Sequence, residues 1–367
     1  MPVICKAAIA FKPDEPLQIH DIEVADPGAG EVMVRLLATG LCHSDLIKME
    51  DTSGATRFPI VFGHEGMGNV ISCGEGVTDF VPGDTVIPYL IPDCGKCFFC
   101  RSGRTNLCTE FRTRLMSDWT PFSLNGQPLA TFMGLGTFSE ITVVKADMLT
   151  KVNSKASPDH ACCIACGVTT GIGAVLNTAK VTPGSTVGVF GVGGVGLSAV
   201  QGARLAGASR IIAIDTNPEK EAVARRMGAT DFVNAREVEN VIAHLFAMTG
   251  TGLDYAFECV GVPALMRQAL ESTNPAWGLA VNIGVVEAGK ELATSPFTLV
   301  TGRRWTGSLM GGAKRQDVAR YVDMYVNGEI KLDDLVSHRL RLDEINHGFD
   351  MMRSGEAVRS VILYGSH

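Results

Sequence analysis

Residues 186–215 read TVGVFGVGGVGLSAVQGARLAGASRIIAID. A strand-like run, TVGVF, ends at Gly191, a helix-like run, LSAVQGARLAGA, follows Gly196, and a second strand-like run, RIIAID, closes on Asp215. Gly191, Gly193 and Gly196 take the spacing G-x-G-x-x-G. In a chain with 41 glycines that spacing alone is weak, but the strand before it and the helix after it give each glycine a task. Gly191 permits a tight turn, Gly193 lets the backbone approach a pyrophosphate, and Gly196 allows the helix to pack closely on the strand. The helix N-terminus adds free N–H groups and a favourable dipole for phosphates. About 20 residues further on, an acid in this arrangement binds the adenosine ribose hydroxyls, and Asp215 holds that place. Its charge would repel the extra phosphate of NADP, so the cofactor read here is NAD. The alternatives are a Gly-rich structural turn and an Asp that caps a strand end. Lys220 either reaches the ribose as well or is a solvated surface lysine.

The alternation continues downstream. Strand-like LDYAFECVG and LAVNIGVV are interleaved with helix-like PEKEAVARRMGA, NVIAHLFAMTG and PALMRQALEST, which predicts a parallel sheet covered by helices. Upstream, EVMVRLLATG, GMGNVISCG and DTVIPYLIP are short, rich in Val and Ile, and bounded by Gly, Pro or Asp, as strands are. After about Gly307 mixed segments return and end in SVILYG. A length of 367 residues suits two domains better than one core. The predicted fold class is α/β: a β-rich domain over 1–168, an inserted Rossmann domain with a doubly wound parallel sheet over 169–307, and a return to the first domain over 308–367.

Composition excludes several classes. Apolar residues at 46% and charged residues at 19% read as globular, and a net charge of −7 without a basic stripe speaks against a nucleic-acid partner. The N-terminal MPVICKAAIAFKPDEPLQ has Lys and acids breaking its apolar run, and no stretch reaches the roughly 18 apolar residues of a spanning helix, so no membrane association is expected. Eleven cysteines in this setting suggest metal and reduced thiols, hence a cytoplasmic protein.

Four of those cysteines, Cys94, Cys97, Cys100 and Cys108, fall within CGKCFFCRSGRTNLC. Thiolates at this density suit a closed tetrahedral zinc site, the alternative being buried or redox thiols. Three further candidates are scattered: Cys42 in GLCHSD, His64 in GHEG and Cys166 in CGVTTG. Two thiolates and an imidazole with an open fourth position match the catalytic-zinc pattern known from alcohol dehydrogenase. Spacing cannot establish this set, and singly each residue reads as a buried thiol or a core histidine.

The wording around these residues carries a resemblance. GLCHSD, FPIVFGHEGMG, CGKCFFCRSGRTNLC, GTFSE, ACGVTTGIGAVLNTA, GVFGVGGVGL, RIIAIDTNPEK and FDMMRSGEAVRSVIL resemble the zinc-dependent medium-chain alcohol dehydrogenases over essentially the whole chain. Within that family the wording is similar to glutathione-dependent formaldehyde (class III) and plant alcohol dehydrogenases, with aryl alcohol dehydrogenases as a further comparison. The resemblance implies a GroES-like catalytic domain and two zinc ions per chain. One would be catalytic, on Cys42, His64 and Cys166; the other structural, on Cys94, Cys97, Cys100 and Cys108. It implies that Glu65 stands behind the catalytic metal or pairs with an arginine such as Arg359. His43 and Arg359 would contact the pyrophosphate, Thr170 would pack on the nicotinamide, and Val195 would back that ring. Trp305 would lie near a dimer interface or in a core, in a homodimer or alternatively a homotetramer.

For the chemistry, the resemblance implies hydride transfer between a small alcohol or aldehyde and NAD. The metal would polarise the substrate oxygen and Ser44 would take the proton, unless Ser44 is an ordinary cap. Many family members carry a relay histidine five residues after the first zinc cysteine; this chain has Ile47. Arg112 keeps an arginine that glutathione-dependent members use, whereas Ser53 and Ala55 stand where those members have acids. Leu90, Ile47, Met116 and Met310 would make an apolar pocket, so a primary alcohol or aldehyde with an apolar or aromatic body is expected. A thiol-adduct formaldehyde dehydrogenase is the alternative, and a non-catalytic dinucleotide-binding scaffold the second.

Overall fold

The structure, a computed structural model, describes residues 2–115, 117–286 and 289–365. The chain divides into two compact units, Met1–Cys166 with Lys314–His367, and Gly167–Ala313. The second unit runs past the expected 307 because Leu309–Gly312 packs on the helix Gly167–Gly173. A Cβ on Gly173 would lie 2.6 Å from the Gly311 carbonyl oxygen.

In the first unit the strand Glu31–Gly40 is the hub of a seven-stranded sheet. It pairs with Glu65–Cys73 and Ile141–Lys145, and also with Ser360–Leu363 from the returning C-terminal segment. The near-continuous apolar run VMVRLLA fits this place, since Val32, Val34, Leu36 and Ala38 are all buried. Gly40 faces Glu65 in the register. The residue after His64 is thereby fixed beside the strand end from which the chain runs into Cys42. A second, six-stranded sheet begins with the hairpin of Val3–Ala10 and Gln18–Val24.

The second unit holds a six-stranded sheet in which every neighbouring pair is parallel. Its spatial order is Asp231–Asn234, Arg210–Asp215, Thr186–Phe190, Tyr255–Glu258, Leu279–Asn282, Arg304–Gly307. The order reverses at Thr186–Phe190, and in such sheets the crevice for a ligand opens at the carboxyl ends of the strands at that point. Phe190, Ile212, Leu245, Leu253 and Leu270 form the core under the sheet, and Trp305 packs against it with its Nε1 donating to Asn282 Oδ1 (3.1 Å).

The segment CGVTTGIGAVLNTA is poor in helix formers and shows no helical pattern in the sequence. The chain is nonetheless helical over Gly167–Gly173 and continues as a π-helical turn, Ala174–Ala179, that ends on Lys180 with φ 52°. All of Gly167–Gly173 is buried, so packing overrides propensity here. Among the described residues no single helix is long and apolar enough to cross a membrane.

Candidate active site: two cysteine clusters and a glycine loop

Cys42 precedes the helix His43–Met49 at its N-cap position in extended conformation, leaving its thiol free of capping duty. Beside it lie the buried His64 and Glu65 and the half-buried Cys166. One ligand atom from each of the four lies within 4.8 Å of all the others. His64 Nδ1 sits 3.1 Å from Asp45 Oδ1, and the same oxygen accepts the Gly63 N–H (3.0 Å). The other ring nitrogen, Nε2, is buried without a partner among the described residues. A carboxylate on one imidazole nitrogen with the other left open is how a metal-ligating histidine is oriented. A hydrogen bond with the Cys166 thiol, aided by His64, holds Cys42 well below the usual thiol range. Two soft sulfurs and an imidazole are a zinc-type donor set.

Asp45 was not singled out by sequence reasoning. Its only signal was an acid three places after the ligand cysteine in GLCHSD; its partner is 19 residues away. Glu65 Oε1 accepts from Arg359 Nη1 (3.1 Å), which also donates to the Leu41 carbonyl (2.8 Å). Glu65 Oε2 has no partner among the described residues, and a Cβ on Gly40 would stand 2.4 Å from it. Burial pushes the Glu65 carboxyl well up, against the pull of Arg359. Ser44 is half-buried in the first turn after Cys42, His43 is exposed, and Ile47, one turn on, is 44% exposed.

The second cluster brings Cys94, Cys97, Cys100 and Cys108 together, again within 4.8 Å. Cys94 Sγ and Cys100 Sγ are 3.9 Å apart; zinc–sulfur bonds of about 2.3 Å at tetrahedral angles would put them about 3.8 Å apart. The Cys97 N–H points at Cys94 Sγ and the Cys100 N–H at Cys97 Sγ (both 3.4 Å). The latter contact brings the Cys97 thiol down to about 6. Backbone donors of this kind stabilise thiolate ligands.

The three glycines of the loop after the strand Thr186–Phe190 differ in what they tolerate. Gly191 has φ +84°, and its Cβ would strike Val260. A Cβ on Gly196 would lie 1.9 Å from the Gly191 carbonyl oxygen, whereas one on Gly193 would meet nothing within 4 Å. That open space, at the N-cap of the helix Gly194–Leu205, fits an approaching phosphate group. Asp215 Oδ2 accepts the Val192 N–H (2.8 Å) and pairs with Lys220 Nζ (3.1 Å). The Val195 carbonyl lies so close to Gly171 that a Cβ there would be 2.3 Å away. Thr170, nearly buried, directs its hydroxyl at Met310 Sδ (3.6 Å).

Residues 28–154 match the family model of the alcohol dehydrogenase GroES-like domain, and residues 194–327 that of the zinc-binding dehydrogenase domain. An S-(hydroxymethyl)glutathione dehydrogenase of Synechocystis is 50% identical over 366 residues, covering 98% of this chain and 99% of that protein. The chain belongs to the zinc-dependent medium-chain alcohol dehydrogenase family. An Escherichia coli S-(hydroxymethyl)glutathione dehydrogenase is also 50% identical, with the same coverage. Among solved structures, an alcohol dehydrogenase zinc-binding domain protein from Burkholderia ambifaria superposes with TM-score 0.95 at 31% identity, covering 100% of each chain. Benzyl alcohol dehydrogenase from Acinetobacter calcoaceticus gives 0.91 at 27% identity, over 99% of this chain and 100% of that one.

As a member of this family the protein is an NAD-dependent zinc enzyme that moves a hydride between an alcohol or aldehyde and NAD. The two cysteine clusters fit two zinc ions per chain. The scaffold reading, without catalysis, is at odds with this membership. Trp305 lies partly in the core of its unit. Met116, read as a pocket residue, lies outside the described residues.

Proposed function

We propose that this dehydrogenase acts on primary alcohols with an apolar or aromatic body and on the matching aldehydes. Cys42, His64 and Cys166 hold the catalytic zinc, and Cys94, Cys97, Cys100 and Cys108 the structural one. The observation that carries the first assignment is the unpartnered, buried Nε2 of His64 among two thiols, with Asp45 behind the ring. When bound, zinc supplies a Lewis acid for the substrate oxygen and NAD supplies the hydride carrier. Asp45 fixes the tautomer of His64 by holding Nδ1. Ser44, two residues after Cys42, accepts the alcohol proton at its Oγ. Ile47 cannot pass that proton on. Glu65 keeps one oxygen unpaired among the described residues beside the ligand set, where it would stand behind the metal.

Asp215 takes the adenosine ribose with Lys220 at its side, Gly191 and Gly196 shape the turn, and the space at Gly193 admits the pyrophosphate. Val195 and Thr170 are assigned to the nicotinamide end. His43 and Arg359 are assigned to the pyrophosphate on the resemblance alone. Arg359 commits Nη1 to Glu65 and Leu41 but has further N–H groups to offer.

The loop before His64 favours an uncharged substrate. Its own acid, Asp51, is consumed by the Ser53 N–H and hydroxyl, the Thr56 hydroxyl and Lys48. Ser53 and Ala55 offer no charge to an ammonium group. Ile47 lies on the face of Ser44 one turn away and adds an apolar surface, as does the buried Leu90.

A specific observation favours a second reading, thiol-adduct formaldehyde oxidation. Relatives at 50% identity are S-(hydroxymethyl)glutathione dehydrogenases. Arg112 is exposed on the helix Glu110–Leu115, while its neighbour Arg114 is tied to Asp147. NADH formation with benzyl alcohol, medium-chain alcohols, and formaldehyde with and without glutathione decides between them. Turnover of simple alcohols indifferent to glutathione supports the first reading; turnover only with the adduct replaces it by the second.

A homodimer is proposed over a homotetramer, through the edge strand Arg304–Gly307 and the neighbouring Phe297 (71% exposed) and Val300 (77%). An edge strand flanked by exposed apolar side chains is a surface to be covered. A cytoplasmic location is proposed because none of the eleven cysteines forms a disulfide.

A further inference from the structure

Glu258 is a buried carboxylate that neither cysteine cluster nor the glycine loop uses. It ends the strand Tyr255–Glu258 and is fully buried. Its surroundings are backbone N–H groups in place of a cation. Oε1 accepts from Val260 N (2.9 Å) and Gly261 N (2.7 Å), with Val262 N at 3.4 Å. The Glu258 carbonyl accepts from Ile283 N (2.9 Å) and Gly284 N (3.2 Å). One residue thus gathers the loops that follow two neighbouring strands.

Those loops meet backbone to backbone. A Cβ on Gly284 would lie 2.0 Å from Gly261 N, and one on Gly261, at φ +95°, would lie 2.2 Å from the Val285 carbonyl oxygen. The gathered loop sets Val260 against the nucleotide turn, since a Cβ on Gly191 would lie 2.2 Å from Val260 Cγ2. Val260 still leaves half its surface exposed. Successive N–H groups converging on one oxygen form an anion-binding concavity, here filled by the chain's own carboxylate. Burial pushes the Glu258 carboxyl up while those N–H groups pull it back. A buried carboxylate is costly, and a half-exposed loop is a modest structural return for it.

We propose that Glu258 is a positioning residue for the dinucleotide: it occupies the N–H concavity of residues 260–262 and so holds Val260 against Gly191 as part of the wall the cofactor meets. This rests on the assignment of NAD to the glycine loop.

Glu258→Leu removes the acceptor, Glu258→Gln keeps one, and Val260→Ala leaves the carboxylate in place but trims the wall. The expected result for Glu258→Leu is a KM for NAD raised about tenfold, roughly 1.4 kcal/mol of binding, with kcat at saturating NAD and zinc content near wild type. Glu258→Gln restores most of the affinity. Val260→Ala raises the KM for NAD in the same direction by a smaller factor. A folded Glu258→Leu protein with wild-type KM for NAD and only a lower melting temperature overturns the proposal. If that variant does not fold, a wild-type KM for NAD in Val260→Ala overturns it alone. Gly193→Ala separates the two readings, because its Cβ meets nothing in the chain yet fills the pyrophosphate space. If Gly193→Ala weakens NAD binding and the other variants do not, only this inference fails. If none does, the dinucleotide site itself is misplaced.

Discussion

Among single residues, small groups beside Cys42 decide the chemistry proposed here. Ser44 is the only proton acceptor assigned on the helix His43–Met49, because Ile47 stands one turn on. Ser44→Ala is expected to lower kcat by about 10²- to 10⁴-fold, the usual reach of acid–base catalysis. Zinc content should not change, as metal analysis would verify. In the wild type, small exogenous bases should accelerate turnover where proton release limits it; a flat response across buffers would count against Ser44 as the end of the relay. Asp45 acts through His64. Asp45→Asn should weaken zinc at the proposed site of Cys42, His64 and Cys166 by about 10- to 100-fold, read as faster loss of one ion to a chelator. Legibility differs among these residues for a physical reason. Gly191, Gly193 and Gly196 lie within one turn, so their spacing is visible in the sequence. Asp45 acts across 19 residues and Glu65 meets Arg359 across 294, which no local pattern encodes.

Elements show the same contrast. Four strands of the second unit and the helices between them were legible as alternating apolar runs, whereas the short edge strands Asp231–Asn234 and Arg304–Gly307 carry too few residues to show a period. Nor was the helix Gly167–Gly173 legible, because burial against Leu309–Gly312 and the helix Gly194–Leu205 holds it where composition would not. Within the sheet, Arg210 grips Asp231 bidentately (both 2.9 Å) and ties the strand Arg210–Asp215 to the edge strand Asp231–Asn234. The hydrogen bond from Arg210 holds the Asp231 carboxyl below its usual range. With the folded pKa below the unfolded one, the pair stabilises the fold above the ordinary carboxylate range. That contribution disappears as the pH falls through the depressed value. Both side chains are partly exposed, so it is under about 1 kcal/mol. Asp231→Asn should melt slightly lower than wild type at neutral pH, with the difference vanishing in strong acid. A difference that grows in acid would contradict this.

For the whole molecule, the chain leaves the first unit at Cys166 and returns at Lys314. A ligand of the proposed catalytic zinc is therefore the last residue before the inserted unit, and Arg359, which holds Glu65, comes from the returning segment. The donor set is complete only when segments from residues 42, 64–65, 166 and 359 have come together. The local cysteine loop at 94–108 needs no such assembly and was readable directly from its spacing. The dispersed set was readable only through resemblance. The decisive measurement is zinc per chain in purified His64→Ala beside wild type, together with alcohol-dependent NADH formation. Two ions are expected in the wild type, one in the folded variant, and turnover should be lost with the missing ion. Two ions retained, or turnover surviving with one, would contradict this expectation.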